Sequence, residues 1–342
     1  MARKSQFSIA TISRVMNPSM RHKVAPKTLN SVDALIKKHG YTPSLAARHL
    51  GGASFKTIGV VLPHFPGIFF SDYYTQILSG VADALIKSDY NFKLIMLKSR
   101  EAKWDKYDFK AGDGVDGLIV THWSNFFSEC SVLEKFKIPC LVLNDPGRSA
   151  AVHFAASDNS MGGELAAKYL YAKGHRKIAI LAGPSWSSDS HLRIQGFKRF
   201  FNKKRIPFSS PILHGDFQEE KAAELTELFL KKNSNITAFF CCNDLMACGV
   251  LKKLQELGIK CPKDISVMGY DDDRRAELSN PPLTTIHVPL YELAKAGTNS
   301  LLLHLKQEKT EFFQSFPVHL VERKSVGNIN LKGRVKCTRT IK

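Results

Sequence analysis

Polar side chains stand at sequence positions where a small molecule could be held. Apolar runs that read as β-strands end in Asn144, in Asn243 with Asp244, and in Asp271 with Asp272. Ligands of open parallel α/β sheets bind outside the carboxyl ends of the strands. An amide or carboxylate at such a place either contacts the ligand or caps the helix that follows. Nothing in the pattern points to catalysis. The chain has no GxxxxGK[ST], GxSxG, HExxH or GxGxxG. Its 12 histidines show no metal-ligand spacing, so no enzyme, cofactor or metal is expected. His175, in GHRK, reads as a helix-end cap rather than a base. The 7 cysteines form no CxxC and no Cys/His zinc pattern. Their odd number and scatter suit reduced thiols in a reducing, cytoplasmic compartment.

Charge gives a second line of argument. The 342 residues carry 49 Lys and Arg against 31 Asp and Glu, a formal net charge of +18. Such an excess favours a polyanionic partner. Half of it sits in residues 1–56, where ten cations face one acid, Asp33; residues 321–342 set seven cations against Glu322. The body between them is nearly balanced. Basic termini on a balanced body fit a nucleic-acid module, although charge alone does not separate DNA from RNA. A composition 44% hydrophobic and 23% charged is that of an ordinary globular protein. There is no apolar run of about 18 residues, and MARKSQFSIATISR lacks the apolar core of a secretory signal, so neither a membrane span nor export is expected.

Strand and helix must alternate to position the polar residues. TIGVVLP (57–63), FKLIML (92–97), VDGLIVT (115–121), PCLVLN (139–144), KIAILAG (177–183), ITAFFCCN (236–243) and ISVMGYDD (265–272) read as buried strands. Helical spacing of apolar residues marks 74–90, 161–175 (stopped by Gly174), 191–204 and 245–258. This alternation predicts a parallel α/β sheet. A count of about nine strands exceeds one compact sheet and predicts two subdomains. The N-terminal segment differs. SIATISRVMN (8–17) has Ser8 as N-cap; PKTLNSVDALIKKHGY (26–41) starts at a proline and stops at Gly40; SLAARHLGG (44–52) is a further short helix. Short basic helices before a large domain suit docking into a DNA groove.

Six segments together resemble the lactose/galactose repressor family of bacterial transcription regulators: SIATISRVMNPS, HGYTPSLAARHL, KTIGVVLP, SDNSMGGELAAKYLYAKGHRKIAILAGP, AFFCCNDLMACGVLKKLQELGIKCPKDISVMGYDDD and NPPLTTIHVPLYELAKAG. They follow the family's order and span nearly the whole chain. The resemblance implies an α/β core of two doubly wound parallel-sheet subdomains, like a periplasmic binding protein, preceded by a small all-α helix-turn-helix head and hinge helix. The implied domains are the head (1–42), hinge helix and linker (43–56), two-lobed effector-binding and dimerisation core (57–330) and basic tail (331–342). The implied function is that of a sequence-specific repressor of transcription, acting as a homodimer on a pseudo-palindromic double-stranded operator. A small effector, a sugar or nucleoside-like metabolite, would set its affinity.

Residue roles follow by position. Ile9, Ala10 and Arg14 fall where the family reads base edges; Arg14 could fork to guanine O6 and N7. Ser8, Thr11, Ser13 and Asn17 fall where phosphates are held. Leu50 matches a minor-groove wedge, and Ala47 is small enough for two hinge helices to approach. In the core, Arg193, Asn144, Asn243, Asp271 and Phe217 match effector contacts. The contact from the first lobe is open: counting from Pro63 picks Phe69 and Phe70, counting back from Gly80 picks Tyr73 and Tyr74. The sequence departs from the family in three places. MARKSQFS aligns only with the second half of the head's first helix and its turn, with Gln6 where glycine is usual. Segment 98–114 is short, and the tail after Val326 has no counterpart. A truncated head leaves a second reading: a small-molecule binding protein that no longer binds DNA.

Overall fold

A computed structural model of the chain describes residues 6–16, 18–39, 54–63, 67–97, 114–121, 138–144, 152–233, 235–308 and 313–329. Asn17, the hinge residues Ala47 and Leu50, most of segment 98–114 and the tail 331–342 lie outside the described residues.

The N-terminal segment forms α1 (Ile9–Met16), a 3-10 turn (Pro18–Lys23) and α2 (Pro26–His39). Ile12 and Val15 of α1 meet Val32 of α2 in a small apolar core, with Phe7, Met16, Val24, Leu29 and Ile36 packed round it. Ser8 caps α1 as its position predicts, its hydroxyl accepting from the Thr11 amide at 3.1 Å.

The first lobe is a six-stranded sheet built from β1 (Thr57–Leu62), β2 (Asn91–Met96), β3 (Gly117–Val120), β4 (Cys140–Leu143), β5 (His153–Ser157) and β11 (Phe313–Phe316). Their order is β11-β5-β4-β3-β1-β2, and every neighbouring pair is parallel. α3 (Asp72–Leu85) and α9 (Leu290–Leu305) pack together, and α9 lies against β3, β4 and β5. The second lobe holds β6 (Ile178–Ala182), β7 (Ile212–His214), β8 (Ala238–Cys241) and β9 (Ser266–Met268) in the parallel order β7-β6-β8-β9. Its helices are α4 (Asn159–Ala172), α5 (Ser188–Lys203), α6 (Glu219–Lys232), α7 (Asp244–Glu256) and α8 (Arg274–Leu278). An antiparallel pair, β10 (Thr285–His287) with β12 (His319–Val321), completes it.

Two parallel sheets therefore form the core, as expected. The chain passes between them three times, at 157–159, 288–290 and 316–319. In both sheets the strand order reverses beside the first strand, at β1/β3 and at β6/β8. A crevice opens at such a reversal because consecutive connections leave on opposite faces. Twelve strands occur among the described residues, more than the sequence pattern marks. The added ones are short, as in β7, β10 and β12, or lack an apolar run, as in HFAAS of β5. The helix expected over 74–90 runs instead from Asp72 to Leu85. Among the described residues no helix is long and apolar enough to cross a membrane.

The helices α4 and α5 cross very closely. A Cβ on Gly163 would stand 1.9 Å from the Arg193 carbonyl oxygen, and one on Gly196 would stand 1.8 Å from that of Ser160. Only glycine at both places permits this approach, and it fixes the helix that carries Arg193.

Candidate functional site

On the head, α1 divides cleanly. Ile12 and Val15 are buried, whereas Ile9 is 77% exposed and Ser8, Ala10, Ser13 and Arg14 are exposed with it. Thr11 is half-buried. Ile9 is therefore not part of the small core. Asp33, the one acid of residues 1–56, is spent internally. The Arg21 guanidinium reaches its carboxylate at 2.5 Å and donates to the Val15 carbonyl at 3.1 Å, tying the turn to both helices. The remaining face of the head is left cationic, which suits a phosphate backbone.

In the core a cavity of about 600 Å³ lies between the lobes, within the roughly 300–1,000 Å³ usual for small-molecule sites. Residues just past β1, β6, β7, β8 and β9 reach it: Pro63, Pro184, Phe217, Asn243 and Asp271. The first lobe adds Phe70, Tyr73 and Tyr74 from the segment entering α3 and from its first turn.

Arg193 is the centre of the second lobe's wall. It is 2% exposed, and its donors are directed inward. Nε donates to Asn159 Oδ1 at 2.8 Å, Nη1 to the Cys242 carbonyl at 2.5 Å, and Nη2 stands 3.0 Å from Asp271 Oδ1. The Tyr270 ring lies 3.9 Å from its guanidinium carbon. Asp271 Oδ1 is buried and ion-paired with Arg193. The Asp271 carboxyl is raised to about 7 in all: burial raises it most, Arg193 opposes that, and Asp273 and Asp189 add to it.

A polar relay crosses the cleft. Asn144, held at φ 60 at the end of β4, accepts from the Ser157 hydroxyl at 2.5 Å. Its amide donates to the Tyr73 hydroxyl at 3.3 Å and to Asp189 of α5 at 3.1 Å. Asp189 also accepts from Asn159 at 2.9 Å, and Asn159 accepts from Arg193. At the rim, Arg275 of α8 donates to the Phe70 carbonyl at 3.1 Å, and the Arg274 amide donates to Asp72 at 3.0 Å.

Of the residues expected at the site, Phe70, Tyr73, Tyr74, Arg193, Phe217, Asn243 and Asp271 line the cavity. Both aromatic pairs left open by sequence thus contribute, except that Phe69 is not in the wall; Phe70 is, although it is 83% exposed. Asn144 is buried behind the wall and acts on it through Tyr73 and Asp189. Asn243 does both things open to it: its Oδ1 caps α7, accepting from the Met246 amide at 2.9 Å, and the residue faces the cavity. Phe217, at φ 58, rests on the backbone at Gly183, where a Cβ would lie 2.3 Å from its ring. The sequence reading missed Asp189, Trp186, Asp273 and Arg275 in the wall. Asp189 carried a signal, since it precedes Arg193 by four residues on one helix and so shares its face. The ring of His175 does not cap α4. It bridges Thr237, at 3.0 Å from Nδ1, and the Gly327 carbonyl, at 3.1 Å from Nε2.

Comparison with known proteins agrees with this arrangement. A model for a periplasmic binding protein-like domain matches residues 167–326. The HTH-type transcriptional repressor PurR of Klebsiella pneumoniae is 33% identical over 333 residues, covering 96% of both chains. The solved transcriptional regulator CelR in complex with cellobiose has a TM-score of 0.72 at 26% identity, covering 95% of this chain and 98% of that one. A LacI family transcriptional regulator from Enterococcus faecium with bound ribose has a TM-score of 0.69 at 28% identity, covering 80% of this chain and 100% of that one.

Proposed function

The chain belongs to the LacI family of transcriptional regulators; it is a DNA-binding repressor controlled by a small effector, and we propose which of its parts carry each role. Residues 1–42 dock on the operator. Ile9, Ala10 and Arg14 read bases from the exposed side of α1, while Ser8, Thr11, Ser13 and Asn17 hold phosphates. Residues 43–56 form the hinge, with Ala47 and Leu50 in the minor groove. Residues 57–330 bind effector and pair two copies on a pseudo-palindromic site, and 331–342 are a basic tail. The protein acts in the cytoplasm and does not turn its effector over.

The effector is a polar metabolite of sugar or nucleoside size. The cellobiose and ribose bound to the two solved relatives support the sugar. The observation that carries the reading is the relay Tyr73–Asn144–Asp189–Asn159–Arg193, because it joins the two lobes and three of its members line the cavity. A ligand touching both walls changes the relative free energy of closed and open lobes. It can shift the equilibrium only by its differential affinity for the two. Lobe movement then alters the spacing of the paired heads. Coupling of this kind is typically about 1–3 kcal/mol, or roughly 5- to 150-fold in affinity.

Filter binding with promoter fragments from the protein's own locus tests the proposal. Operator affinity should fall steeply between about 50 and 200 mM salt as counterions compete for phosphates. It should also move when ribose, cellobiose or a nucleoside is added. A weak interaction with all fragments that no metabolite alters would refute it and leave a binding protein without an operator.

A further inference from the structure

The two ends of the second lobe carry opposite charge. Its four strands are parallel, and all of them end at the cavity. Segments leading from a strand into a helix therefore face the cleft, and those leading from a helix into a strand face away from it. The cleft-facing segments, 183–187, 215–218, 242–243 and 269–273, hold Asp216, Asp271, Asp272 and Asp273 and no Lys or Arg. The outward segments, 173–177, 204–211, 233–237 and 257–265, hold seven cations against one acid, Asp264. Neighbouring strands stand about 5 Å apart, so the outward segments form one surface in the order β7-β6-β8-β9. Lys231 and Lys232 close α6 at the same end. Cations in a last helical turn complement the helix dipole. That account does not reach Arg176, Lys177, Lys260 and Lys263, which lie past the last turns of α4 and α7. Of the seven, only Lys173 has an ion-pair partner among the described residues, Glu322. The chain that follows adds charge here. The Ile329 amide donates to the Lys173 carbonyl at 2.8 Å, so residues 330–342 start from this end, and they contain five cations and no acid.

The head is joined to the opposite end of the molecule. β1 also ends at the cavity, at Pro63, so Thr57 and the segment before it stand at the outward end of the first lobe. We propose that the outward end of the second lobe is a second DNA-binding surface, indifferent to base sequence, which holds the phosphate backbone of a duplex other than the one under the head. Ammonium and guanidinium groups without opposing carboxylates displace the counterions condensed on a duplex. A protein partner would call for an aromatic or apolar anchor. Among the described residues these segments expose no large apolar side chain. The proposal adds a surface to the operator-binding reading and makes no use of the effector cavity. One repressor would thereby join its operator to a separate stretch of duplex.

The test holds full-length protein on an immobilised fragment of its own locus and offers a short labelled duplex of unrelated sequence in solution. Wild type should capture the second duplex at about 50 mM salt and release it by about 200 mM. The combined variant Lys177→Gln, Lys204→Gln, Lys260→Gln and Lys263→Gln changes only exposed side chains. It should bind the immobilised fragment as wild type does and capture about tenfold less of the second duplex. Its plot of log affinity against log salt should be shallower by about 3 to 4. Should it melt early, Lys260→Gln with Lys263→Gln alone should show about half of that change in slope. Equal capture by the variant, or no capture by wild type at about 50 mM salt, overturns the proposal. So does labelled polyglutamate that binds as tightly as the duplex and weakens in the same variant, which assigns the surface to an acidic protein segment. An immobilised fragment that holds no protein removes the operator reading alone. Titration of the labelled duplex in solution, wild type against variant, then decides this proposal by the same difference in slope.

Discussion

Asn144 and Asp189 belong to different lobes and share a hydrogen bond of 3.1 Å across the cleft. Asn144 is held for this by the Ser157 hydroxyl and by a left-handed backbone that asparagine adopts more readily than most residues. Asp189 is held by Asn159, which also receives Arg193. The bond therefore couples the end of β4 to the helix bearing the buried arginine.

Asn144→Ala should lower unfolding free energy by about 1–3 kcal/mol, since partners within the wall lose their hydrogen bonds. Asn144→Gly relieves the backbone while losing the same bonds, so its cost should be similar or smaller. Urea denaturation measures both. A stability equal to wild type in both variants would show the relay to be idle.

Arg193→Met should cost about 3–5 kcal/mol, because it leaves the Asp271 carboxylate buried without its partner. Adding Asp271→Asn to that variant should recover much of the loss. Denaturation of the two singles and the double closes the cycle, and simple additivity would contradict direct coupling.

Acid should weaken the fold through His175. Burial holds this imidazole neutral, with its pKa lowered to about 4 from 6.5. The Gly327 carbonyl only accepts, so Nε2 carries the proton of the neutral ring. The unfolded chain binds the extra proton first. The stabilisation is therefore whole above pH 6.5 and is lost as pH falls towards 4, by on the order of 3 kcal/mol. Asp271 acts in the opposite sense. Its raised pKa makes the fold bind protons first, which favours acid over the range from 3.8 to about 7. Thermal melts of wild type and His175→Asn across pH 4–8 separate the two, since only the histidine contribution vanishes in the variant.

Arg14→Ala should weaken operator binding by about 1–3 kcal/mol and relax selectivity at one base pair. Exposed Lys27, at the start of α2, offers the contrast. Lys27→Ala should weaken binding alike on all sequences if it acts on phosphate alone. Competition binding against single-base operator variants distinguishes the two patterns.

Gly163→Ala and Gly196→Ala should each destabilise by roughly 1–3 kcal/mol through overpacking. Neither residue lines the cavity, yet both set the position of α5 and hence of Asp189 and Arg193. Effector affinity should fall with stability, and calorimetry beside denaturation would show the two losses together.

Much of this was legible in the sequence where one physical signal dominated. Buried parallel strands such as TIGVVL and IAILA are continuous apolar runs and were placed within a residue or two. Ser8 reads as a cap because it directly precedes a run of helical apolar spacing. The polar residues at strand ends were found likewise, from the apolar runs they end. The relay was not, because its bonds join residues such as Asn144 and Asp189, 45 apart, whose meeting depends on how two lobes stand together. Phe69 and Phe70 are adjacent and chemically identical, and only the backbone turn through Ile68–Phe70 decides which one enters the wall. The interior role of His175 was hidden likewise, since Gly327 is 152 residues away.

The three passages of the chain between the sheets have a consequence for synthesis. The first lobe opens at Thr57 but takes its central helix from residues 290–305 and its edge strand from 313–316. Leu290, Leu293 and Leu301 of that helix are wholly buried. A ribosome exposes the N-terminal helical segment first and delivers the parts that finish the first lobe almost last. Neither lobe corresponds to an uninterrupted stretch of the gene, so no simple truncation liberates one of them. A nascent chain halted before Phe313 carries the N-terminal helices without a finished first lobe beside them.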